Sequence, residues 1–126
     1  MKKLLALLLA AALLPIGASA ADTAPKSVIH VVTLKFKDDA TPAQIQAALD
    51  GVKALPAAFP GITRVWVKSI KVQNARGTEK KRTHALVMEF ADEAAFKAYT
   101  DSPAQLAWYK VYLPVRDQST TFDITN

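Results

Sequence analysis

The side chains best suited to proton transfer near neutral pH are two histidines, His30 and His84. Each lies in a run of apolar and β-branched residues typical of a strand, Val28–Phe36 and Thr83–Phe90. Because alternate residues of a strand point to opposite faces, the pattern puts both histidines on the side that helices should cover. We therefore expect one small cavity under the first helix, lined by His30, His84, Val32, Leu34, Leu86, Met88 and Tyr99.

An apolar cavity with a few polar groups is typical of a site for an aromatic or other flat hydrophobic ligand. The alternative is that each histidine is a hydrogen-bonded structural residue near an end of the sheet, an alternative we favour for His84. Two histidines with no cysteine and no carboxylate at ligand spacing do not supply the donors of a metal site. No glycine-rich phosphate loop, nucleophile elbow or carboxylate pair is present. We expect neither a metal nor another cofactor.

The amino terminus has the order of a secretory signal: a basic start with Lys2 and Lys3, an apolar run from Leu4 to Leu14, then Ala18-Ser19-Ala20. We predict a signal peptide over residues 1–20 and a periplasmic or secreted protein. The apolar run is shorter than the roughly 20 residues that cross a bilayer, which disfavours a membrane anchor. Once the signal is removed, we expect no membrane partner.

Residues 21–27 are small and polar and are expected to form a disordered lead-in, and residues 28–126 suffice for one domain. The chain has no cysteine, so its stability must come from packing or from a second subunit. The net charge is +5, but the one basic cluster, Arg76–Arg82, lacks the interleaved aromatics of a nucleic-acid site. We interpret this cluster as a solvated hairpin loop and expect no nucleic-acid partner.

Helix and strand signals follow one another in the order β-α-β-β-α-β. Thr41 and Ser102 each precede a proline and stand three residues before a glutamine, the pattern of a capped helix start. Asp92 is expected to cap a short helix that carries Phe96 and Tyr99. The predicted strands are Val28–Phe36, Ile62–Val72, Thr83–Phe90 and Val115–Ile124, and the capped helices end at about Ala54, ahead of Pro56, and at about Leu113. This order predicts an α+β, ferredoxin-like fold, in which a four-stranded antiparallel sheet carries its helices on one face.

The sheet face without helices is predicted to be too apolar to remain in water. The strand alternation assigns to this face Ile29, Val31, Val65, Val67, Ala85 and Val87. A second sheet stacked against it would bury on the order of 1,000 Å² or more. We therefore expect a homodimer that forms through this face.

Four segments carry a family resemblance. They are His30-Val31-Val32-Thr33-Leu34-Lys35-Phe36-Lys37, Phe59-Pro60-Gly61, Thr83-His84-Ala85-Leu86-Val87-Met88-Glu89-Phe90, and Tyr99 followed by Ser102-Pro103-Ala104-Gln105. In this order and spacing they resemble the stress-responsive A/B barrel (Dabb) family, over about His30 to Ile124. The resemblance implies a dimeric α+β barrel, formed when two ferredoxin-like protomers close their sheets on each other.

The resemblance also implies candidate site residues. In a plant polyketide cyclase similar in fold, two histidines and a tyrosine carry the acid–base work. His30 and Tyr99 match two of these positions, but Gln105 stands at the later histidine and Ser102 at another common one. Because an amide does not titrate, Gln105 can line the cavity but cannot exchange a proton. Some dimeric α+β barrels bind haem through a histidine carried by the helical part of the fold, and both histidines of this chain lie in predicted strands, so we expect no haem.

Three functions remain open at this stage. The first is a Dabb-type protein that binds a small apolar or aromatic molecule as a homodimer. The second is a cofactor-independent cyclase or monooxygenase for an aromatic or polyketide-like substrate, with His30 as base and Tyr99 as orienting hydroxyl. The third is an interaction protein without a small-molecule site.

Overall fold

The computed structural model describes residues 26–74 and 76–125, so the predicted signal peptide and most of the predicted lead-in lie outside the described residues. The elements are β1 (Val28–Phe36), α1 (Pro42–Ala58), β2 (Ile62–Ser69), β3 (His84–Phe90), α2 (Glu93–Tyr99), α3 (Pro103–Tyr112) and β4 (Arg116–Ile124). A short 3-10 helix, Gly77–Lys81, lies in the predicted loop between β2 and β3. Within the described ranges, every helix is too short or too polar to span a bilayer.

The four strands form one sheet in the order β2-β3-β1-β4, and each neighbouring pair is antiparallel. This topology confirms the predicted ferredoxin-like fold. The core lies between the sheet and the helices, where Leu34, Val52 and Phe90 are fully buried. Helix α1 packs against both β2 and α3, so the helical layer covers one face of the sheet.

Helix α1 begins at its predicted cap but ends later than predicted. The hydroxyl of Thr41 accepts a hydrogen bond from the Gln44 backbone N–H, and the Gln44 side chain accepts one from the Thr41 N–H. The prediction that the helix ends ahead of Pro56 is wrong, because the helix continues to Ala58. Proline costs one N–H in the last turn, and burial of Leu55 in the core offsets this loss.

Strand β2 is shorter than predicted and carries a bulge near its start. Ile62 pairs with Phe90 and Arg64 pairs with the next residue, Glu89, so Thr63 is an extra residue that reverses the later alternation. The prediction that Val65 and Val67 face away from the helices is therefore wrong. Both pack against the core. The bulge instead turns Trp66 outward, across from Val87.

The face of the sheet that carries no helices, here called the open face, keeps an apolar row across its middle after this correction. The strand register aligns Trp66, Val87, Val31 and Phe122 in one row that crosses all four strands. Trp66 is 38% exposed, Phe122 48% and Ile124 57%. The remaining members of the open face are Ile29, Thr33, Lys35, Arg64, Lys68, Ala85, Glu89, Gln118 and Thr120.

Candidate functional site

A cavity of about 270 Å³ lies between the sheet and helices α2 and α3. It is on the helix-covered side of the sheet, away from the open face. Its walls are mostly aromatic and aliphatic, with a few polar groups among them. The lining residues are His30, Val32, Met88, Phe96, Tyr99, Thr100, Gln105, Trp108, Tyr109 and Thr121.

His30 enters the cavity from β1 and is paired with a carboxylate on the neighbouring strand. The two strands align His30 opposite Asp123, and His30 Nδ1 lies 2.6 Å from Asp123 Oδ1. An ionised carboxylate can only accept a hydrogen bond, so in the neutral form of the imidazole Nδ1 carries the proton and Nε2 has the free lone pair. Within the described residues Nε2 has no hydrogen-bond partner. The imidazole is thus held as an acceptor for a group in the cavity.

The His30 ring is held against aromatic side chains as well as by Asp123. Its centroid lies 5.4 Å from that of Phe96 and 6.3 Å from that of Phe90. Its side chain is 17% exposed and that of Asp123 is 34% exposed. The pair therefore stands at the mouth of the cavity, half shielded from water.

Tyr99 ends helix α2, with its ring packed in the core and part of its side chain on the cavity wall. The ring packs against Phe59 and Phe90, at centroid distances of 5.5 Å and 5.2 Å. The side chain is only 2% exposed, and its hydroxyl has no hydrogen-bond partner among the described residues. Burial raises the pKa of Tyr99 well above its usual value, with a smaller contribution from Tyr109. The phenol therefore stays protonated near neutral pH and can donate.

Gln105 lines the cavity from the first turn of α3. Its backbone N–H donates to the hydroxyl of Ser102, the N-cap, at 3.2 Å. Its side-chain oxygen accepts the backbone N–H of Asp101 at 2.7 Å. Since a backbone N–H is only a donor, this contact fixes which end of the amide is oxygen. The amide nitrogen is left without a partner among the described residues.

The structure brings together five of the residues expected in the cavity: His30, Val32, Met88, Tyr99 and Gln105. The prediction that Leu34 and Leu86 line the cavity is wrong, since both are buried in the core and neither is among the lining residues. His84 also lies apart from His30. The register pairs His30 with Met88 and Leu34 with His84, four residues or roughly 13 Å further along the sheet.

The surroundings of His84 are those of a structural residue. Its Nδ1 lies 2.8 Å from the hydroxyl of Thr83, and its ring packs edge-on against Phe36 at 5.1 Å. Burial lowers the pKa of His84 below its usual value. His84 is not among the residues that line the cavity of His30.

Five cavity residues were not predicted from the sequence, namely Phe96, Thr100, Trp108, Tyr109 and Thr121, and neither was Asp123, the partner of His30. Asp123 and Thr121 alternate along β4 on the side that faces the helices, a signal that the strand pattern already contained. Trp108 is fixed by a hydrogen bond from Nε1 to the Ala48 carbonyl at 3.0 Å and by stacking on Tyr112 at 4.4 Å. The described residues form no group of three or more side chains that could hold a metal ion.

The sequence can now be set against known families. The model of the stress responsive A/B barrel domain, Dabb, matches residues 28–126. The chain belongs to the Dabb family. The match covers every strand and helix described above, and therefore the whole wall of the cavity. In sequence, this Dabb chain matches no curated protein.

Solved structures with the same fold as this Dabb chain include enzymes and proteins of unknown function. A hydroxynitrile lyase from Passiflora edulis superposes with a TM-score of 0.70 at 20% identity, covering 80% of this chain and 94% of the lyase. A dimeric ferredoxin-like protein of unknown function from Thermobifida fusca gives 0.64 at 22%, covering 81% and 92%. SnoaB, a cofactor-independent oxygenase from Streptomyces nogalater, gives 0.59 at 18%, covering 80% and 93%. At these identities the likeness shows the fold alone.

Proposed function

We propose that this Dabb protein binds a small, flat, largely apolar molecule in the cavity between its sheet and helices α2 and α3. The observation that carries the proposal is the state of the polar groups there. Among the described residues, neither His30 Nε2 nor the Gln105 amide nitrogen has a hydrogen-bond partner, and both residues line the cavity. A buried polar group without a partner is costly, so a ligand that supplies the missing partner gains affinity from it.

The shape of the cavity supports a flat ligand. Its volume of about 270 Å³ suits a molecule of one or two rings. Phe96, Trp108 and Tyr109 offer ring faces and edges against which a planar molecule can pack.

The test is whether the purified protein carries or accepts such a molecule. A native mass spectrum of the protein isolated from its own cells should contain a mass in excess of the chain. Thr121→Phe should remove that excess mass, since Thr121 is an exposed residue on the cavity wall. Thr78→Phe, an equally exposed site in the 3-10 helix, should retain it. A spectrum free of ligand, together with no binding of added aromatics, would favour an interaction protein instead.

A cofactor-independent enzyme is the second candidate, favoured by the 2.6 Å contact between His30 and Asp123. A histidine held by a carboxylate in one tautomer is a common general base. Two of the similar structures are themselves enzymes by name, a hydroxynitrile lyase and a cofactor-independent oxygenase. A cyclase or monooxygenase acting on an aromatic or polyketide-like substrate would need a base of this kind.

Proton abstraction can be measured without knowing the substrate. A ketone such as 1-indanone has an acidic C–H beside its carbonyl. In D₂O, His30 Nε2 would remove that proton to leave the enolate, and a deuteron from solvent would then return to the carbon. We expect the protein to accelerate this exchange, which NMR can follow. In His30→Ala the exchange rate should fall by roughly 100-fold or more. Asp123→Asn should lower the rate while leaving ketone binding intact, whereas an equal rate in all three proteins would leave binding alone as the function.

We further propose an exported homodimer that forms through the open face. The exposed Trp66, Phe122 and Ile124 support the dimer, and the similar protein from Thermobifida fusca is described as dimeric. Sedimentation of the chain from Ala21 onward should give twice the protomer mass.

The basic and apolar start of the sequence supports export, and amino-terminal sequencing of the protein from its own cells should then begin at Ala21.

A further inference from the structure

We infer that one end of this fold, which is rich in lysine and arginine, docks on an anionic lipid surface. The inference goes beyond the proposed small-molecule function, since its partner is a bilayer whose headgroups carry negative charge. It replaces the expectation of no membrane partner, which followed from the length of the apolar run at the amino terminus and concerned anchoring segments alone. Three observations carry it: the placement of three loops, their charge, and an exposed leucine among them.

Three loops leave the sheet at the same end. The strand register pairs His84, the first residue of β3, with Leu34 of β1 and Ser69 of β2. It pairs Arg116, the first residue of β4, with Phe36, the last residue of β1. The connections next to these strand termini, here called the basic end, are residues 37–41, 70–83 and 113–115.

Contacts between the loops make the basic end one surface. Lys37 Nζ donates to the carbonyl oxygen of Pro114 at 2.7 Å, which joins the loop after β1 to the loop before β4. A hydrogen bond from Lys35 lowers the pKa of Asp38, and the charge of Lys81 makes a smaller contribution. Lys81, in the 3-10 helix between β2 and β3, therefore lies near the loop that follows β1.

Positive charge is concentrated at the basic end. Its acidic residues are Asp38, Asp39 and Glu79. Its basic residues are twice as many, and all except Arg82 are exposed: Lys37, Lys71, Arg76, Lys80, Lys81 and Arg82. At the opposite end of the sheet, residues 59–61 and 91–93 carry two acids, Asp92 and Glu93, and no base. The charge of the loops therefore attracts anions to one end of the molecule.

The exposed lysines of the basic end are free to act on a partner. The ion pairs among the described residues involve none of Lys37, Lys80 and Lys81. One of the acids there, Asp38, is already paired with Lys35 at 2.8 Å. Close to an anionic bilayer, each lysine or arginine strengthens binding by about 5-fold. A few free lysines on one surface are thus enough for measurable binding.

An exposed leucine lies among these cations. Leu113 is the C-cap of α3 and is 40% exposed, although it is large and apolar. Lys110 stands one helical turn before it and is also exposed. Peripheral membrane proteins combine cations with apolar side chains that enter the headgroup layer. Leu113 can play this part at the basic end.

The composition of the three loops favours lipid over nucleic acid. Single-stranded nucleic acids are held by aromatic side chains that stack on the bases, as well as by basic residues. Residues 37–41, 70–83 and 113–115 contain no aromatic residue. The combination of free lysines with an exposed leucine fits an anionic bilayer instead.

The test is co-sedimentation of the chain from Ala21 onward with lipid vesicles. Vesicles of equal parts phosphatidylglycerol and phosphatidylcholine should bind the protein more tightly than pure phosphatidylcholine, by roughly 10-fold or more. Binding should weaken as salt is added, because screening shortens the reach of the surface charge.

Two pairs of substitutions locate the binding surface. Lys80→Gln combined with Lys81→Gln should weaken binding to the anionic vesicles by roughly 25-fold, which is two steps of about 5-fold. Lys53→Gln combined with Lys97→Gln is the matched control. It removes the same charge from exposed positions of α1 and α2, outside the basic end, and should leave most of the binding in place.

A third substitution tests the apolar contact at unchanged charge. Leu113→Gln should weaken binding to the anionic vesicles by roughly 3- to 10-fold, because the leucine no longer enters the headgroup layer. Leu106→Gln, at a similarly exposed leucine two helical turns earlier in α3, should change binding far less.

Three outcomes would overturn the inference. Equal losses in the two lysine pairs would mean that net charge, and not the basic end, controls binding. Equally tight binding of duplex DNA or polyglutamate, with no effect of Leu113→Gln, would identify a general polyanion surface in place of a lipid surface. If the unsubstituted protein does not bind the anionic vesicles, the basic end has no lipid partner, and the proposed ligand cavity is unaffected.

Discussion

The two faces of the sheet meet water in opposite ways, although both are apolar. On the helix-covered face Leu34 and Phe90 are fully buried, and the candidate site is a cavity between this face and helices α2 and α3. On the open face no element of the described chain covers Trp66 or Phe122. The covered face therefore offers a cavity for a small molecule, while the open face offers an area large enough for another protein surface.

The polar groups of the two faces differ in the same sense. On the covered face, the hydrogen-bonding groups of the cavity are either neutral, as in Gln105, or paired with a group of opposite charge, as His30 is with Asp123. On the open face, Arg82 is buried and donates to Gln118 at 2.7 Å and to Thr120 at 3.1 Å, with no ion-pair partner in the described ranges. A buried guanidinium that is bonded only to neutral oxygens lacks a counter-charge, which is costly. A polar surface of a second subunit that covers this region would stabilise it. We expect this end of the open face to lie within the dimer interface.

The largest effect is expected from a charge on the open face. Trp66→Asp places a carboxylate in the central apolar row, next to Val87. Loss of a large aromatic at the centre of an interface costs about 2–4 kcal/mol, or roughly a 30- to 1,000-fold weaker dimer. Sedimentation velocity should then detect monomers at micromolar concentration.

Leu106→Asp is the matched control for this substitution. Leu106 is also a large exposed apolar residue, but it lies on α3 in the helical layer. A dimer unchanged by Trp66→Asp, or lost with Leu106→Asp, would move the interface from the open face to the helical layer.

An intermediate effect is expected where α1 approaches α3 closely. Gly51 of α1 lies against α3, and a Cβ at this position would come within 2.8 Å of Trp108 Cδ1. Gly51→Val should therefore lower the free energy of unfolding by about 1–3 kcal/mol through overpacking. Thermal unfolding measures this change, and Ala57→Val, at an exposed position of the same helix, should change the stability far less. Since Trp108 also lines the cavity, Gly51→Val should weaken ligand binding while the dimer persists.

Local signals predicted those parts of the molecule that depend on neighbours in sequence. The bounds of β1 and the caps at Thr41, Asp92 and Ser102 are confirmed, because strand alternation and capping act over a few residues. The bulge at Thr63 was not predicted, since it is defined only by how β2 pairs with β3. Because Thr63 is an extra residue, Trp66 lies on the open face in place of Val65 and Val67.

The candidate site shows the same limit of local signals. His30, Tyr99 and Gln105 were named from the sequence, whereas Asp123 lies 93 residues from His30 and meets it only through the register of β1 and β4. The prediction of a shared cavity placed His30 and His84 on the correct face of their strands. It did not include the register between β1 and β3, which sets how far apart along the sheet they lie. Position along a strand depends on pairing partners, and a single sequence does not supply them.

The smallest effect is expected from His84, the histidine of the covered face that lies away from the cavity. Burial lowers its pKa below 6.5, so between its folded and unfolded pKa values the unfolded chain binds more protons than the folded one. The free energy of unfolding should therefore rise as the pH increases toward 6.5 and level off above it. In His84→Asn this part of the rise should vanish, as measured by urea unfolding of both proteins across that range. An identical pH dependence in the two proteins would mean that His84 is as well hydrated as in the unfolded chain, and that the covered face is open to water at that end.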